Sequence, residues 1–166
     1  MAKEKPIPHL LVDGYNIIHA WPRLKKVFAF GSEPARAQLG NLLRTIHDTD
    51  TLRLTIVFDG QGKKVEIERP YEDLSFSYLF TSSDLTADEL IEQLVQKSKH
   101  PETITVATKD NLLADTIRAL GAFPITPDAL EDWITRCEKQ QTSSLDQHKR
   151  STNKDWNASS PWRDLR

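Results

Sequence analysis

Short apolar runs of strand length alternate along this chain with longer stretches in which apolar residues recur at helical spacing. His9–Val12, Leu52–Phe58 and Thr103–Ala107 are such runs, and Ala122–Ile125 is a shorter fourth one. Strands that alternate with helices indicate βαβ units around a parallel sheet. We therefore expect an α/β fold with a central, mostly parallel sheet.

Four segments show the helical period, with apolar side chains on one face. They are Ala35–His47, Ala87–Lys97, Asn111–Leu120 and Asp128–Cys137. Gly121 suits the left-handed position that ends the third helix, and Pro127 suits the first turn of the last. Glu66–Arg69 and Ser75–Phe80 are less regular and are interpreted as further strands.

The composition changes near residue 138. Of the 166 residues, 38% are hydrophobic and 28% are charged, which is ordinary for a globular domain. From residue 138 onward the chain is polar and poor in aliphatic residues, so it cannot bury enough surface to order itself. We expect one domain over residues 1–137 and a disordered polar tail over 138–166. The mean hydropathy of −0.52 agrees with this division.

Several classes of protein are disfavoured. The net charge of −2 lacks the strongly basic balance of a generic nucleic-acid binder, and no apolar run is long enough to span a membrane. The single cysteine, Cys137, cannot build a disulfide framework or a Cys-rich zinc site, which fits a reducing cytoplasm. Because glycine-rich phosphate loops, paired zinc histidines and nucleophile motifs are missing from the sequence, neither a nucleotide cofactor nor covalent catalysis is expected.

Aspartates follow three predicted strands at the point where each ends. Asp13, Asp59 and Asp110 hold these positions, and Asp88 lies in the first turn of the helix before the third strand. The carboxyl ends of parallel strands share one edge of the sheet, and carboxylates that converge there repel each other unless a cation joins them. The pattern predicts one or two Mg²⁺ or Mn²⁺ ions. The alternative is that each aspartate only caps a turn or a helix.

Five blocks of sequence resemble, in order, the motifs of the YacP-like family of NYN-domain proteins, which are PIN-like ribonucleases. The blocks are Val12-Asp13-Gly14-Tyr15-Asn16-Ile17-Ile18 with Ala20-Trp21-Pro22, Val57-Phe58-Asp59-Gly60, Thr86-Ala87-Asp88-Glu89 with Ile91-Glu92, Val106-Ala107-Thr108-Lys109-Asp110, and Gly121-Ala122. The resemblance implies a three-layer α/β/α fold and metal-dependent cleavage of RNA.

The resemblance also implies roles for single residues. Asp13, Asp88 and Asp110 match metal ligands of the family, and Asp59 matches a further acidic position. Asn16 matches the amide of the first motif, which either orients a water or a phosphate oxygen or caps the turn. These five residues form the expected catalytic set.

Two further residues bear on the expected site. Glu92 lies one helical turn beyond Asp88 and is a further possible metal ligand. Lys109 departs from the resemblance, because the family usually has a small hydroxyl residue before the last aspartate. Its cation would either contact the scissile phosphate or weaken metal binding by repulsion.

An acidic metal centre does not attract a polyanion, so RNA binding requires basic residues nearby. Six basic residues at the ends of the expected motifs are assigned to RNA. They are Arg23, Lys25, Lys26, Lys63, Lys64 and Lys109. The basic tail, with Trp156 and Trp162, is interpreted either as an arm that contacts RNA or a ribosome, or as an inert extension.

The predicted function is a Mg²⁺- or Mn²⁺-dependent endoribonuclease in which a metal-activated water attacks an RNA phosphodiester, acting on mRNA or other RNA, including RNA at the ribosome. Two alternatives stay open. One is an RNA- or ribosome-binding module that does not cleave, which Lys109 favours. The other is a phosphatase, because clustered carboxylates with Mg²⁺ also serve that reaction.

Overall fold

The computed structural model describes the backbone of residues 5–159 and the side chains of residues 5–145. Six strands form one sheet in the order β3-β4-β2-β1-β5-β6. The strands are β1 (His9–Asp13), β2 (Arg53–Gly62), β3 (Glu66–Glu68), β4 (Phe76–Ser82), β5 (Ile104–Ala107) and β6 (Phe123–Ile125). All neighbouring pairs are parallel except β3 with β4. The predicted α/β class and mostly parallel sheet are confirmed.

Helices cover both faces of the sheet. They are α1 (Gly14–Ala20), α2 (Pro22–Phe28), α3 (Ser32–Asp50), α4 (Ala87–Lys97), α5 (Asn111–Ala119) and α6 (Pro127–Ser159). Successive strand residues point to opposite faces, so Leu10 and Val12 pack on the side of α1, α2, α3 and α6, and Leu11 packs on the side of α4 and α5. Two separate hydrophobic cores result, which gives the expected three layers.

Some element boundaries differ from those predicted. The helices α1 and α2 were not predicted, because each spans only seven residues and they meet at Trp21, whose extended backbone precedes the Pro22 that opens α2. Helix α3 exceeds its predicted span at both ends. Strand β2 continues beyond Asp59 to Gly62, because this part pairs irregularly with β4 and continues toward β3.

The last helix is also longer than predicted. Residues 138–159 continue α6 rather than forming an irregular tail, because no glycine or proline interrupts the chain there. Gln141 Nε2 donates to Thr49 Oγ1 at 2.9 Å, which fixes this part of α6 to the end of α3. The side chains of residues 146–166, including the two tryptophans assigned to an RNA-contacting arm, lie outside the described residues. The domain boundary itself stays a prediction.

Within residues 5–159, no helix combines the length and the apolar character needed to cross a membrane.

Gly14 allows α1 to begin directly against the sheet. A Cβ atom at this position would overlap the ring of Phe58 and would lie 3.0 Å from Ile56 Cγ2. The Phe58 ring is fully buried and packs against Tyr15, with ring centroids 4.9 Å apart. Because Gly14 follows Asp13, this close packing sets the direction in which the chain leaves β1.

We expect Gly14→Ala to lower the free energy of unfolding by about 1–3 kcal/mol, because the Phe58 ring must move in a close-packed core. Urea denaturation measures the change. Gly62→Ala is the matched control: its Cβ would meet nothing nearer than 3.6 Å, so its effect should stay within about 0.5 kcal/mol. Equal effects of the two substitutions would contradict this account of Gly14.

A candidate carboxylate centre at the sheet edge

The loops after β1 and β5 meet at the carboxyl edge of the sheet. Strand β2 pairs with β1 on one side, and the later strand β5 pairs with β1 on the other side. The strand order therefore reverses between β1 and β5. Ligands of open α/β sheets bind at such a reversal point. Asp13 ends β1, and Thr108, Lys109 and Asp110 follow β5, so both predicted motifs lie at this position.

Asp13 is a buried carboxylate, with only 5% of its surface exposed. Although it precedes α1, its side chain makes no capping hydrogen bond to that helix. Burial and the adjacent carboxylate of Asp88 raise the pKa of Asp13 to about 8, and a weaker effect comes from Asp59. Thr108 Oγ1 donates to Asp13 Oδ2 at 3.1 Å, which partly offsets this rise. The alternative that Asp13 only caps a helix is therefore wrong.

Asp88 lies between two other carboxylates. Its side chain is partly buried, and it lies close enough to Asp13 and Asp110 for both to affect its pKa. Burial raises the pKa of Asp88, Asp110 and the charge of Asp59 add to the rise, and Asp13 opposes it. Three predicted ligands are thus electrostatic neighbours, with Asp88 as the member that senses both of the others.

Asp110 and Asp59 also accept hydrogen bonds at the starts of helices. Asp110 Oδ1 accepts hydrogen bonds from the backbone N–H groups of Leu112 at 2.9 Å and Leu113 at 3.4 Å, at the start of α5. Asp59 Oδ1 accepts from the N–H of Ala87, the first residue of α4, at 2.9 Å. The capping interpretation is therefore correct for Asp110, whereas Asp59 accepts from the first N–H of a helix that begins 28 residues later in the chain. Both carboxylates also raise the pKa of Asp88.

Asn16 connects α1 with the loop after β5. Its Oδ1 accepts a hydrogen bond from the backbone N–H of Lys109 at 2.6 Å. The hydroxyl of Thr108 has one proton, which we assign to Asp13, because the oxygen of Asn16 is farther away, at 3.4 Å. Asn16 therefore holds the loop that presents Lys109 and Asp110, a role different from the turn cap considered from the sequence.

Thr108 is a site residue that the sequence analysis missed. Its side chain is buried, and its Oγ1 accepts from the N–H of Asp110 at 3.1 Å while it donates to Asp13. One hydroxyl thus joins two carboxylate-bearing loops. The sequence did show a hydroxyl residue two positions before Asp110. A threonine at such a position is also typical of an ordinary turn, so it did not stand out as a site residue.

Other predicted residues are not brought into contact with the carboxylates by any described interaction. Glu92 is half-buried on α4, and its assignment as a ligand stays a prediction. All six residues assigned to RNA have exposed side chains, on α2, on the connection between β2 and β3, and in the loop after β5. Their contact with RNA likewise stays a prediction.

Comparison with known proteins identifies the family. The model of the YacP-like NYN domain matches residues 10–164. The chain belongs to the YacP-like NYN domain family. This match extends beyond residue 137, the predicted end of the domain.

Relatives of this family come from Bacillus subtilis. YacP from strain 168 is 39% identical over 102 residues, which is 61% of this chain and 59% of that protein, so the alignment spans about three fifths of the relative. The crystal structure of Rae1 (YacP) is similar with a TM-score of 0.69 and 30% identity, covering 90% of this chain and 86% of that one. The crystal structure of a mutant form of Rae1 gives a TM-score of 0.71 and 29% identity, covering 86% of this chain and 84% of that one.

The chemistry of the donor set fits the divalent cation that a nuclease-type NYN fold implies. The donors are carboxylate oxygens, which hard cations prefer. Burial first, and repulsion from the neighbouring carboxylates second, raise the pKa values of Asp13 and Asp88, and a cation would offset both effects. Over the residues whose side chains are described, no three His, Cys, Asp or Glu residues form a ready-made metal-binding group. The carboxylate oxygens are thus suitable ligands for a divalent cation. The described side chains are not already arranged in a metal-binding geometry.

We expect Thr108→Val to destabilise the protein by about 1–3 kcal/mol, because it keeps the side-chain shape but removes a buried partner from Asp13 and from the N–H of Asp110. Urea denaturation at pH 7 measures this loss. Thr108→Ser is the control, since it retains the hydroxyl, and should lose clearly less. If valine is tolerated as well as serine, the hydroxyl does not hold the two loops together.

Proposed function

We propose that this protein is an endoribonuclease that hydrolyses RNA phosphodiester bonds with the help of Mg²⁺ or Mn²⁺, acting in the cytoplasm on free RNA or on RNA at the ribosome. The observation that carries the proposal is the buried Asp13 carboxylate at the reversal point of the sheet, with Asp88 near enough to raise its pKa and Asp110 near enough to raise that of Asp88. Membership of the YacP-like NYN family supports it.

Asp13, Asp88 and Asp110 would hold the cation, with Asp59 beside them. When bound, the cation supplies charge neutralisation at the phosphate and a water that loses its proton more easily. In the hydrolysis, the water oxygen attacks phosphorus and the bond from phosphorus to O3′ breaks. The water loses a proton, the departing oxygen gains one, and the products carry a 5′-phosphate and a 3′-hydroxyl.

The surrounding residues hold the acidic groups in place. Thr108 orients the Asp13 carboxylate, and the backbone N–H groups of α5 orient that of Asp110. Asn16 fixes the backbone at Lys109, an exposed cation that directly precedes Asp110 in the chain. This cation can contact an RNA phosphate where the carboxylates alone would repel it.

A second function is an RNA-binding module that does not cleave. Two observations favour it. The cation of Lys109 neighbours Asp110, which would weaken the binding of a metal ion, and the carboxylates over the described side chains lack a preformed metal geometry. The two functions are distinguished by comparing the rate of RNA cleavage by the wild type with that of a carboxylate variant.

We expect the full chain to cleave a 5′-labelled single-stranded RNA when Mn²⁺ or Mg²⁺ is added, and Asp13→Asn to lower the rate at least about 100-fold, because it removes a carboxylate ligand but preserves shape. Gel electrophoresis of the products measures the rate. Asp132→Asn, an exposed carboxylate on α6, is the matched control and should cleave at the wild-type rate.

Binding of the same RNA in EDTA completes the test. Under the proposal, Asp13→Asn keeps its RNA affinity and loses cleavage. Binding by the wild type without metal-dependent cleavage would support the non-catalytic module instead. Cleavage that persists at the wild-type rate in Asp13→Asn would contradict the assigned site.

A further inference from the structure

A second concave region adjoins the carboxylate centre. It is an open cavity of about 590 Å³ between α5, β6 and the start of α6. Thr108 and Lys109 line it on the side of the centre, while Ala114 and Arg118 of α5 line another side. This volume is within the range of small-ligand sites, about 300–1,000 Å³.

The cavity and the carboxylate centre share a wall. Thr108 lines the cavity, and its hydroxyl donates to Asp13 Oδ2 at 3.1 Å. Thr108 is therefore the link between the cavity and Asp13, which does not itself line the cavity. Because the cavity opens at the carboxyl ends of β5 and β6, it continues the edge at which ligands of such sheets bind.

The lining combines cations with apolar surface. Lys109 and Arg118 are two cations against one carboxylate, that of Asp128, so the cavity favours an anion. Arg118 pairs with Asp115 at 3.2 Å, but both side chains are more than 60% exposed, and a surface pair of this kind is weak enough to exchange for a phosphate.

The apolar part of the lining suits a base or a ribose. It consists of Ala20, Pro124, Ile125 and Pro127. Thr126 and Asn111 add hydroxyl and amide groups that can form hydrogen bonds to a base edge. A nucleotide presents this combination of a negative phosphate with a flat, partly apolar ring.

Two other cavities among the described residues fit less well, and a third, of about 430 Å³ with Arg53 and Lys97 in its lining, lies at the amino ends of β1 and β5, away from the carboxylates. The one beside Arg36 and Lys64 has a volume of about 220 Å³ and also contains Glu66 and Glu68, so its charges cancel. Another, of about 860 Å³, lies between α6 and Asp48 and Thr49 at the end of α3, which precedes the amino end of β2. It is on the edge of the sheet opposite the carboxylates.

We propose that the cavity beside Thr108 binds one nucleotide of the RNA strand next to the scissile phosphate, with Arg118 and Lys109 contacting its phosphate. The inference rests on RNA as the substrate of the proposed function. It adds Arg118, which no motif indicated, as a residue that positions the strand.

A labelled RNA octamer of uridine tests the assignment, with the full chain in EDTA so that binding is separated from cleavage. We expect Arg118→Gln to weaken binding roughly 5- to 10-fold and to lower the slope of log affinity against log salt by about 0.7, the value for one phosphate contact on a single strand. Fluorescence anisotropy measures both. Arg136→Gln removes an exposed cation on α6 beside Cys137, which contacts Asp50 at the far end of α3, and should bind like the wild type.

Ala114→Phe tests the cavity independently of charge. It fills the space while leaving both cations, so it should also weaken octamer binding; its folding is checked by urea denaturation. If Arg118→Gln weakens binding but a folded Ala114→Phe does not, Arg118 is a surface contact and the cavity assignment is wrong. Wild-type affinity in both variants, or no octamer binding by the wild type, also overturns the assignment.

The same variants with Mn²⁺ separate this inference from the proposed function. If the wild type binds the octamer, both variants weaken it and nothing is cleaved, the cavity assignment is supported and the proposed hydrolysis is wrong. If the wild type cleaves and the two variants bind and cleave as it does, the hydrolysis is supported and the cavity assignment is wrong.

Discussion

A carboxylate buried at the end of the central strand is the constraint around which this site is arranged. Asp13 is removed from water and lies against Asp88, and both conditions disfavour its charged form. A protein keeps such a group only where neighbours compensate for it. Here the Thr108 hydroxyl supplies one hydrogen bond, and the remaining repulsion among the carboxylates is what a divalent cation would relieve. The burial of Asp13 beside Asp88 thus makes the charged site unfavourable without a cation, and the same burial suits the site to the proposed metal-dependent chemistry.

The fold places this carboxylate by its topology. Strand β1 lies between β2 and β5, so its end faces the loops that follow both neighbours. Gly14 lets the chain turn into α1 against Phe58, and Asn16 on that helix then holds the loop that carries Lys109 and Asp110. Contacts remote in sequence therefore fix the loop next to the carboxylates, and the adjoining cavity extends from the same loop.

Much of this arrangement could be predicted from the sequence, and the limits have physical causes. Buried strands are continuous apolar runs, so the apolar parts of β1, β2 and β5 and the aspartates that follow those runs were recognisable. The short helix α1 was not, because Gly14 resembles a turn and its packing against Phe58 is a tertiary contact. The continuation of α6 past residue 137 was missed because polar composition was interpreted as disorder. The role of Thr108 depends on a hydrogen bond to a residue distant in sequence, and that of Arg118 depends on a cavity lined by several distant segments. Spacing along the chain reveals neither.

The central claim is that Asp13 and Asp88 belong to one divalent-cation site. Calorimetric titration of the full chain with Mn²⁺ tests it most directly, because it requires no knowledge of the RNA substrate. We expect the wild type to bind Mn²⁺ and Asp13→Asn and Asp88→Asn each to lose this binding, while Asp132→Asn retains it. Failure of the wild type to bind Mn²⁺ up to millimolar concentration, or undiminished binding by both site variants, would contradict the account.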